Sequence, residues 1–592
     1  MIARLLLPAV CLVLGLCLSG CGKSSSRRAP SAHPLPSPPL VSKGEPGKFG
    51  SRFVLASSAG PKTFNPLLSL DIGSDSVVRL LFSSLVRFDH CSLDPGPGLA
   101  ESWSVEPDQR TWTFKLRRGL FWSDGQPLTA EDVTFTWNDI MYNPQFNRFT
   151  FGLFQVGGKN FAVTNLDALT VRVVTPEVFA PFLEFFGGVP ILPKHVLQPA
   201  VKQNTFLSAY NLNTPPGRIV GCGPFRLKES RPGKFTLLQA NPEFGMADQR
   251  GRRLPYFDEV MITVGGGPRT EARLFLEGKC DVCETVRPEQ YGELKQAAAK
   301  DRFQVVELGA GPERDFLWFN QNTGTNAAGQ PFVNPWKLKW FRNKKFRQAV
   351  SCAIDRDRIV RDVYRGRAQA TYGFISTENP KWNNPNVPRY SFDPPRARGL
   401  LAEVGMTRFS PEGVLLDGDG HPLEILFHSN LGNPLREKAA VMIQEDLGKF
   451  GIKLVYLPVS FEVLRKKVDI TFDYECALMG LGGGGADPAT QANVLRSSED
   501  LHQWFPSQRA PSTEWEARVD ALMEAQMRTV DFAERKKVFD EVQAILSEEL
   551  PMIYTVSPFA CAALRSQVGN LRPSVFTPYR LTWNMEELYF RK

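Results

Sequence analysis

Apolar side chains fall at every second position in two stretches: Trp112, Phe114 and Leu116 alternate with Thr113, Lys115 and Arg117, and Leu169, Val171 and Val173 alternate with polar neighbours. Successive side chains of a strand point to opposite faces, so both stretches predict half-buried β-strands. Residues 423–427 and 452–457 predict further strands. The other period is helical. Phe346, Ala349, Val350, Ala353 and Ile354 recur at three and four residues, predicting a helix that stops at Gly366, and Val538, Phe539, Val542, Ile545 and Leu546 form a second stripe ended by Pro551. A shorter helix is predicted over residues 271–277, with a strand carrying Cys280 and Cys283 after it. Such stripes are core faces. From about residue 49 the chain is an even α/β mixture with no internal repeat.

The start of the chain follows another pattern. Met1 to Arg4 give a short basic start, and the fourteen residues from Leu5 to Leu18 carry no charge. That suits a secretory signal core and falls short of the roughly 20 residues a helix needs to span a bilayer. The run ends in Leu18-Ser19-Gly20-Cys21, which resembles the lipobox of bacterial lipoproteins. The resemblance implies a signal peptide over residues 1–20, cleavage before Cys21, and lipidation of the Cys21 thiol. Acyl chains, at about 0.8 kcal/mol per buried methylene, would hold the protein on a membrane. Six Ser and six Pro between residues 22 and 48 leave almost nothing to bury, so residues 21–48 are expected to form a disordered tether after the lipidated cysteine.

Composition changes this picture in one respect. With 592 residues, 42% hydrophobic and 22% charged, the chain is neither disordered nor collagen-like, and it is far too long for a disulfide-stapled scaffold. Its net charge of +8 suggests a nucleic-acid partner until the charges are located. Arg4, Lys23, Arg27, Arg28, Lys43 and Lys48 against Glu45 place most of it in the first 48 residues. The basicity belongs to export and membrane proximity, and no nucleic acid is expected as a partner.

Candidate chemistry is sparse. The six histidines form no H-E-x-x-H pattern, and no G-x-S-x-G elbow occurs, so the chain is not expected to be an enzyme. Beyond the signal and Cys21 seven cysteines remain, namely Cys91, Cys222, Cys280, Cys283, Cys352, Cys476 and Cys561, and an odd number leaves at least one unpaired within a monomer. Cys280 and Cys283 have the C-x-x-C spacing of zinc and redox sites but lack a second pair, so they are taken as small apolar strand residues. No metal and no cofactor are expected. Gly482-Gly483-Gly484-Gly485-Ala486-Asp487-Pro488 is the most unusual internal segment. Its glycines let backbone approach a ligand and Asp487 offers a carboxylate to a cation, while a purely structural turn has equal standing.

The order of short motifs carries more than any one of them. Gly60-Pro61-Lys62-Thr63-Phe64-Asn65-Pro66-Leu67 is followed by Leu81-Phe82-Ser83-Ser84-Leu85-Val86-Arg87-Phe88-Asp89, then Pro97-Gly98-Leu99-Ala100-Glu101-Ser102-Trp103 and Trp122-Ser123-Asp124-Gly125-Gln126-Pro127-Leu128. Later come Gly221-Cys222-Gly223-Pro224-Phe225, Phe316-Leu317-Trp318-Phe319-Asn320, and Phe346-Arg347-Gln348-Ala349-Val350 with Ala353-Ile354-Asp355-Arg356. Over residues 50–592 this series resembles the family 5 extracellular solute-binding proteins, the peptide- and nickel-binding receptors of ABC importers.

The resemblance implies a two-lobed periplasmic-binding-protein-like fold of type II, in the large cluster with an extra N-terminal subdomain. Residues 49–317 would form lobe I with its inserted subdomain, 318–551 lobe II, and 552–592 a return to lobe I, with crossings at 316–320 and 553–556. In peptide-binding members an Asp late in lobe II takes the peptide's α-amino group, which implies that role for Asp487. Gly482, Gly483 and Gly484 would offer backbone groups to the ligand, and Gly73 and Ser74 would reach it from lobe I. Peptide-binding relatives commonly carry a Trp just before the Asp, where this chain has glycine. The implied function is a monomeric, lipid-anchored receptor in the periplasm or on the cell surface of a bacterium. It would deliver an oligopeptide to an ABC permease and ATPase complex. Alternatives are a nickel chelate, an oligosaccharide or an opine as solute, or a surface sensor or chaperone that reuses the fold.

Overall fold

The computed structural model describes residues 30–147, 154–482, 487–499 and 501–591. The alternating stretches pair with each other: Thr111–Leu116 and Thr170–Val174 run antiparallel, with Phe114 opposite Val171 and Trp112 opposite Val173. Ala100–Val105 and Ala162–Asn165 complete a four-stranded antiparallel sheet. Its apolar face, Phe114, Leu116, Val171 and Val173, is buried against Trp122, Trp137, Phe182 and Phe186. Trp137 stacks on Phe186 with ring centres 4.4 Å apart. Alternation therefore did what it predicts, one face to the core and one to solvent. This sheet lies within residues 49–317, where the resemblance puts the inserted subdomain, and is called that below.

Two larger sheets form the lobes. The first has the order Phe225–Arg231, Phe235–Ala240, Glu259–Val264, Arg52–Ser57, Val282–Cys283, Val556–Arg565, Phe303–Ala310. Arg52–Ser57 runs parallel to both its neighbours, so it is central and buries Phe53 and Leu55. Cys280 and Cys283 are free, buried thiols; Cys283 lies on the short strand Val282–Cys283 and Cys280 just before it, outside the strand expected to carry both. The second sheet has the order Lys453–Val459, Glu424–Asn430, Cys476–Leu481, Arg314–Phe319, Ile553–Tyr554. The strand formers at 423–427 and 452–457 become its parallel pair.

Arg314–Phe319 pairs with Ile553–Tyr554 inside the second sheet, whereas Phe303–Ala310 and Val556–Arg565 pair inside the first. The chain thus passes between sheets at Gly311-Pro312-Glu313 and at Thr555, the former a few residues before the expected crossing at 316–320.

The helical stripe at residues 346–354 is real but shorter than predicted. Lys344–Ala353 is capped by the Asn343 side chain and ends where Ile354 turns extended; Asp355 then caps a separate helix, Arg356–Asp362. The cap overrides the stripe because its carboxylate accepts the Arg358 N–H and so starts a new helix. The stripe ended by Pro551 is the helix Phe532–Glu549, with Phe539, Val542 and Leu546 buried.

The largest departure is at the N-terminus. From Ser31 the expected tether is a strap laid on lobe I. His33 stacks on Phe121 at 3.7 Å, the Ala32 N–H donates to Glu243 at 3.0 Å, Ser37 bonds to the Arg118 carbonyl at 2.9 Å, and Leu40–Val41 pairs parallel with Met246–Ala247. The Ser42 hydroxyl donates to Glu587 at 2.7 Å. A Ser- and Pro-rich segment cannot build a core alone, but here body residues supply partners along its length. Among the described residues no helix is long and apolar enough to cross a membrane.

Candidate functional site

Asp487 follows the strand Cys476–Leu481 and caps the short 3-10 turn Pro488–Gln491, accepting the Ala489 N–H at 2.9 Å. Both its oxygens are also held by one guanidinium: Arg535 Nη1 lies 2.5 Å from Oδ2 and Arg535 Nη2 2.6 Å from Oδ1. Arg535 is fixed in turn. Its Nε donates to the Gln526 carbonyl at 2.8 Å, its Nη2 to Gln526 Oε1 at 2.8 Å, and it lies over the Trp382 ring at 5.1 Å. A bidentate pair of this kind is strong and directional. Amine capture by Asp487, as the resemblance implies, would have to displace that guanidinium.

The rest of the junction comes from both lobes. Asp487, Gln491 and Trp382 of the second lobe, Arg314 and Pro312 at the crossing, and Phe576 of the C-terminal return surround a cavity of about 20 Å³, room for about one water molecule. Arg314 is buried, which pushes its pKa down, and its Nη1 donates to the Pro312 carbonyl at 3.0 Å. Among the described residues no carboxylate pairs with it. A ligand larger than water therefore requires the lobes to part here.

The inserted subdomain closes the other side. The Ala180 N–H donates to the Met527 carbonyl at 2.7 Å, Glu177 pairs with Arg528 at 2.6 Å, and Asp94 pairs with Lys381 at 3.0 Å. On the π-helical turn Leu183–Gly187, Glu184 faces Asp487, whose backbone N–H bonds to it. Burial, then the Asp487 charge, raises the Glu184 pKa; Arg535 and Lys381 act in the opposite direction.

The other expected site residues lie differently. Gly73 is buried where a Cβ would come within 2.4 Å of the Gly60 carbonyl oxygen. The Ser74 hydroxyl donates to Asp71 at 2.9 Å and accepts the Lys62 N–H at 3.0 Å, so this pair packs the loop of the Gly60 motif. Gly482 is exposed with open space around it. Gly483, Gly484 and Cys21 lie outside the described residues. A cavity of about 340 Å³ sits elsewhere, within lobe I, lined by Arg79, Arg87, Arg117, Phe121, Trp583 and Glu586 among others.

Glu184, Arg535, Arg314, Trp382 and Phe576 were not foreseen from sequence. Two carried a signal. Glu184 stands alone in Phe182-Leu183-Glu184-Phe185-Phe186, and Arg535 lies four residues before Phe539 and seven before Val542, on the buried stripe of its helix. A charge at a core position needs a partner.

Comparison with known proteins gives the same architecture. A model of "Bacterial extracellular solute-binding proteins, family 5 Middle" matches residues 94–503. A probable ABC transporter-binding protein of Deinococcus radiodurans is 27% identical, over 90% of this chain and 91% of its own. The oligopeptide-binding protein AppA of Bacillus subtilis is 24% identical over 99% of both chains, and its structure with a nonapeptide superposes with a TM-score of 0.69 over 92% of this chain and all of that one. The periplasmic binding protein MelB of Agrobacterium fabrum, solved with stachyose, has a TM-score of 0.72 at 20% identity, covering 94% of this chain and 88% of its own.

Proposed function

The chain belongs to the bacterial extracellular solute-binding proteins of family 5, and from that membership we propose that it is the receptor of an ABC importer, closing its two lobes around an oligopeptide and handing it to a permease and ATPase complex. One observation supports a peptide over an uncharged solute. The junction holds a buried cation, Arg314, and a carboxyl group, Glu184, and among the described residues neither has an ion-pair partner. A buried cation and a carboxyl group that ionises when an ammonium reaches it suit a ligand with a carboxylate and an ammonium, because buried charges are costly unless paired. Closure then follows from differential affinity: groups reached from both lobes bind the closed state better and shift the population towards it. No catalytic step belongs to this reading.

The test is native mass spectrometry of the purified protein followed by calorimetry with the captured molecule. Peptide masses are expected in the complex. An oligosaccharide or metal chelate in their place would sink the peptide assignment while leaving solute binding intact.

The same reading has the protein lipid-anchored through Cys21. Because the strap begins at Ser31, only the nine residues Gly22 to Pro30 separate Cys21 from the folded body. Fully extended they span about 30 Å, which keeps lobe I close to the lipid surface. Mass spectrometry of the mature N-terminus is expected to find a diacylglyceryl cysteine at position 21; a free thiol there, or cleavage elsewhere, would remove the anchor.

A further inference from the structure

We propose that Glu184, presented by the inserted subdomain, is the carboxylate that receives the ligand's ammonium group, and that Asp487 serves to fix it in place. The inference rests on the reading of the interlobe junction as the ligand site.

Asp487 is already spent. Its two oxygens accept two N–H groups of Arg535 and one of Ala489, so its charge is neutralised within the second lobe. Arg535 is held by Gln526 through backbone and side chain and cannot swing aside without losing three further hydrogen bonds. Glu184 is the opposite case. It takes the Asp487 backbone N–H, and among the described residues no lysine, arginine or histidine forms an ion pair with it. A carboxylate has about four acceptor positions, and an ammonium brings three donors, so a single backbone bond leaves room for one.

The position of Glu184 is set by its own segment. Ala180 bonds to the Met527 carbonyl and Glu177 pairs with Arg528, next to the Gln526 that holds Arg535. These contacts cross from the inserted subdomain to the second lobe, so Glu184 meets Asp487 only when the two are together. An ammonium at Glu184 is therefore gripped in the closed form, and its binding energy drives closure. The charged groups around Glu184 are Asp487, Arg535 and Lys381 at its head, with Glu177 and Arg528 at the start of the segment. Asp487 and Arg535 offset each other. Burial keeps the free Glu184 carboxyl protonated to higher pH than usual, so capture of an ammonium must expel that proton. Affinity should then rise with pH until Glu184 is ionised in the free protein, and fall again as the peptide α-amine loses its proton at about pH 8.

The probe is a mixture of synthetic lysine-free penta- to nonapeptides, with free or acetylated N-termini, offered to the full-length protein and read by native mass spectrometry. The wild type is expected to take free-amine peptides about ten- to a hundredfold better than acetylated ones, the loss of one charge-assisted contact. Glu184→Gln is expected to erase that preference with an unchanged melting temperature, and Glu184→Asp to restore part of it. Calorimetry on a captured peptide in two buffers of different ionisation enthalpy should show proton release for the wild type and none for Glu184→Gln. Capture of neither form by the wild type would overturn the peptide reading, and this inference with it. Equal capture of both forms would overturn recognition of the ammonium. A preference for free amines that persists in Glu184→Gln would overturn only the assignment to Glu184.

Discussion

Asp487→Ala is expected to destabilise the second lobe by about 3–5 kcal/mol, because it leaves the Arg535 guanidinium buried without a counter-charge. Arg535 keeps its bonds to Gln526, yet a buried cation with only neutral partners is far costlier than one paired bidentately. Loss of the cap on Pro488–Gln491 adds about 1 kcal/mol. Arg535→Ala should cost as much, since it strands Asp487. The double variant Asp487→Leu, Arg535→Met should recover most of the loss, because removing both charges removes the desolvation cost as well as the attraction. Urea unfolding followed by circular dichroism and tryptophan fluorescence reads this directly, and Trp382 beneath Arg535 is a reporter at the site. If Asp487→Ala unfolds like the wild type but no longer binds, the carboxylate is a ligand group, as the family resemblance implies, and its structural assignment falls.

How far the sequence carried this site can be seen residue by residue. The Gly-rich run ending in Asp-Pro left two readings open, a turn and a cation-binding carboxylate, and the cap on Pro488–Gln491 supports the first. What sequence could not supply was Arg535, 48 positions away on another helix, or Glu184, more than 300 positions earlier in a different subdomain. Side-chain periodicity sees only neighbours along one element. It therefore found the strands at Phe114 and Val171 and the stripe of Phe539 and Val542, but it ran the stripe from Phe346 past Ile354. There the Asp355 carboxylate caps a new helix, a signal of one residue against a pattern of five. The strap failed for a related reason. Ser and Pro composition measures what a segment can bury by itself, whereas Leu40–Val41 is held by Met246–Ala247, His33 by Phe121 and Glu243, and Ser42 by Glu587. Partners so distant in sequence leave no local trace.

Arg356→Met is expected to cost about 3–5 kcal/mol and, in addition, to loosen the passage between the lobes. Arg356 belongs to the motif that follows Phe346-Arg347-Gln348-Ala349-Val350, and its side chain is almost wholly buried. Burial lowers its pKa to about 10, still far above neutrality, so it is a cation in the interior. Among the described residues no carboxylate forms an ion pair with it. Instead Nε donates to the Tyr554 carbonyl at 2.8 Å, Nη1 to the Ser351 carbonyl at 2.9 Å, and Nη2 to the Ser351 hydroxyl at 2.8 Å, with the Tyr372 ring 4.7 Å beneath. Each carbonyl left without a donor costs about 1–3 kcal/mol, and a thioether replaces the volume but none of the bonds. Tyr554 ends the strand Ile553–Tyr554, one residue before Thr555, where the chain leaves the second sheet for the first. The motif thus ties the last turn of the helix Lys344–Ala353 to the strand that precedes the crossing. Arg356→Lys should rescue only part of the loss, because a point-charge ammonium cannot reach three acceptors in a fixed fork. Hydrogen exchange at Tyr554 to Ser557 separates the two effects. Faster exchange there in Arg356→Met, at denaturant concentrations where the lobes remain folded, is the expected result; unchanged protection would confine Arg356 to the core of the second lobe.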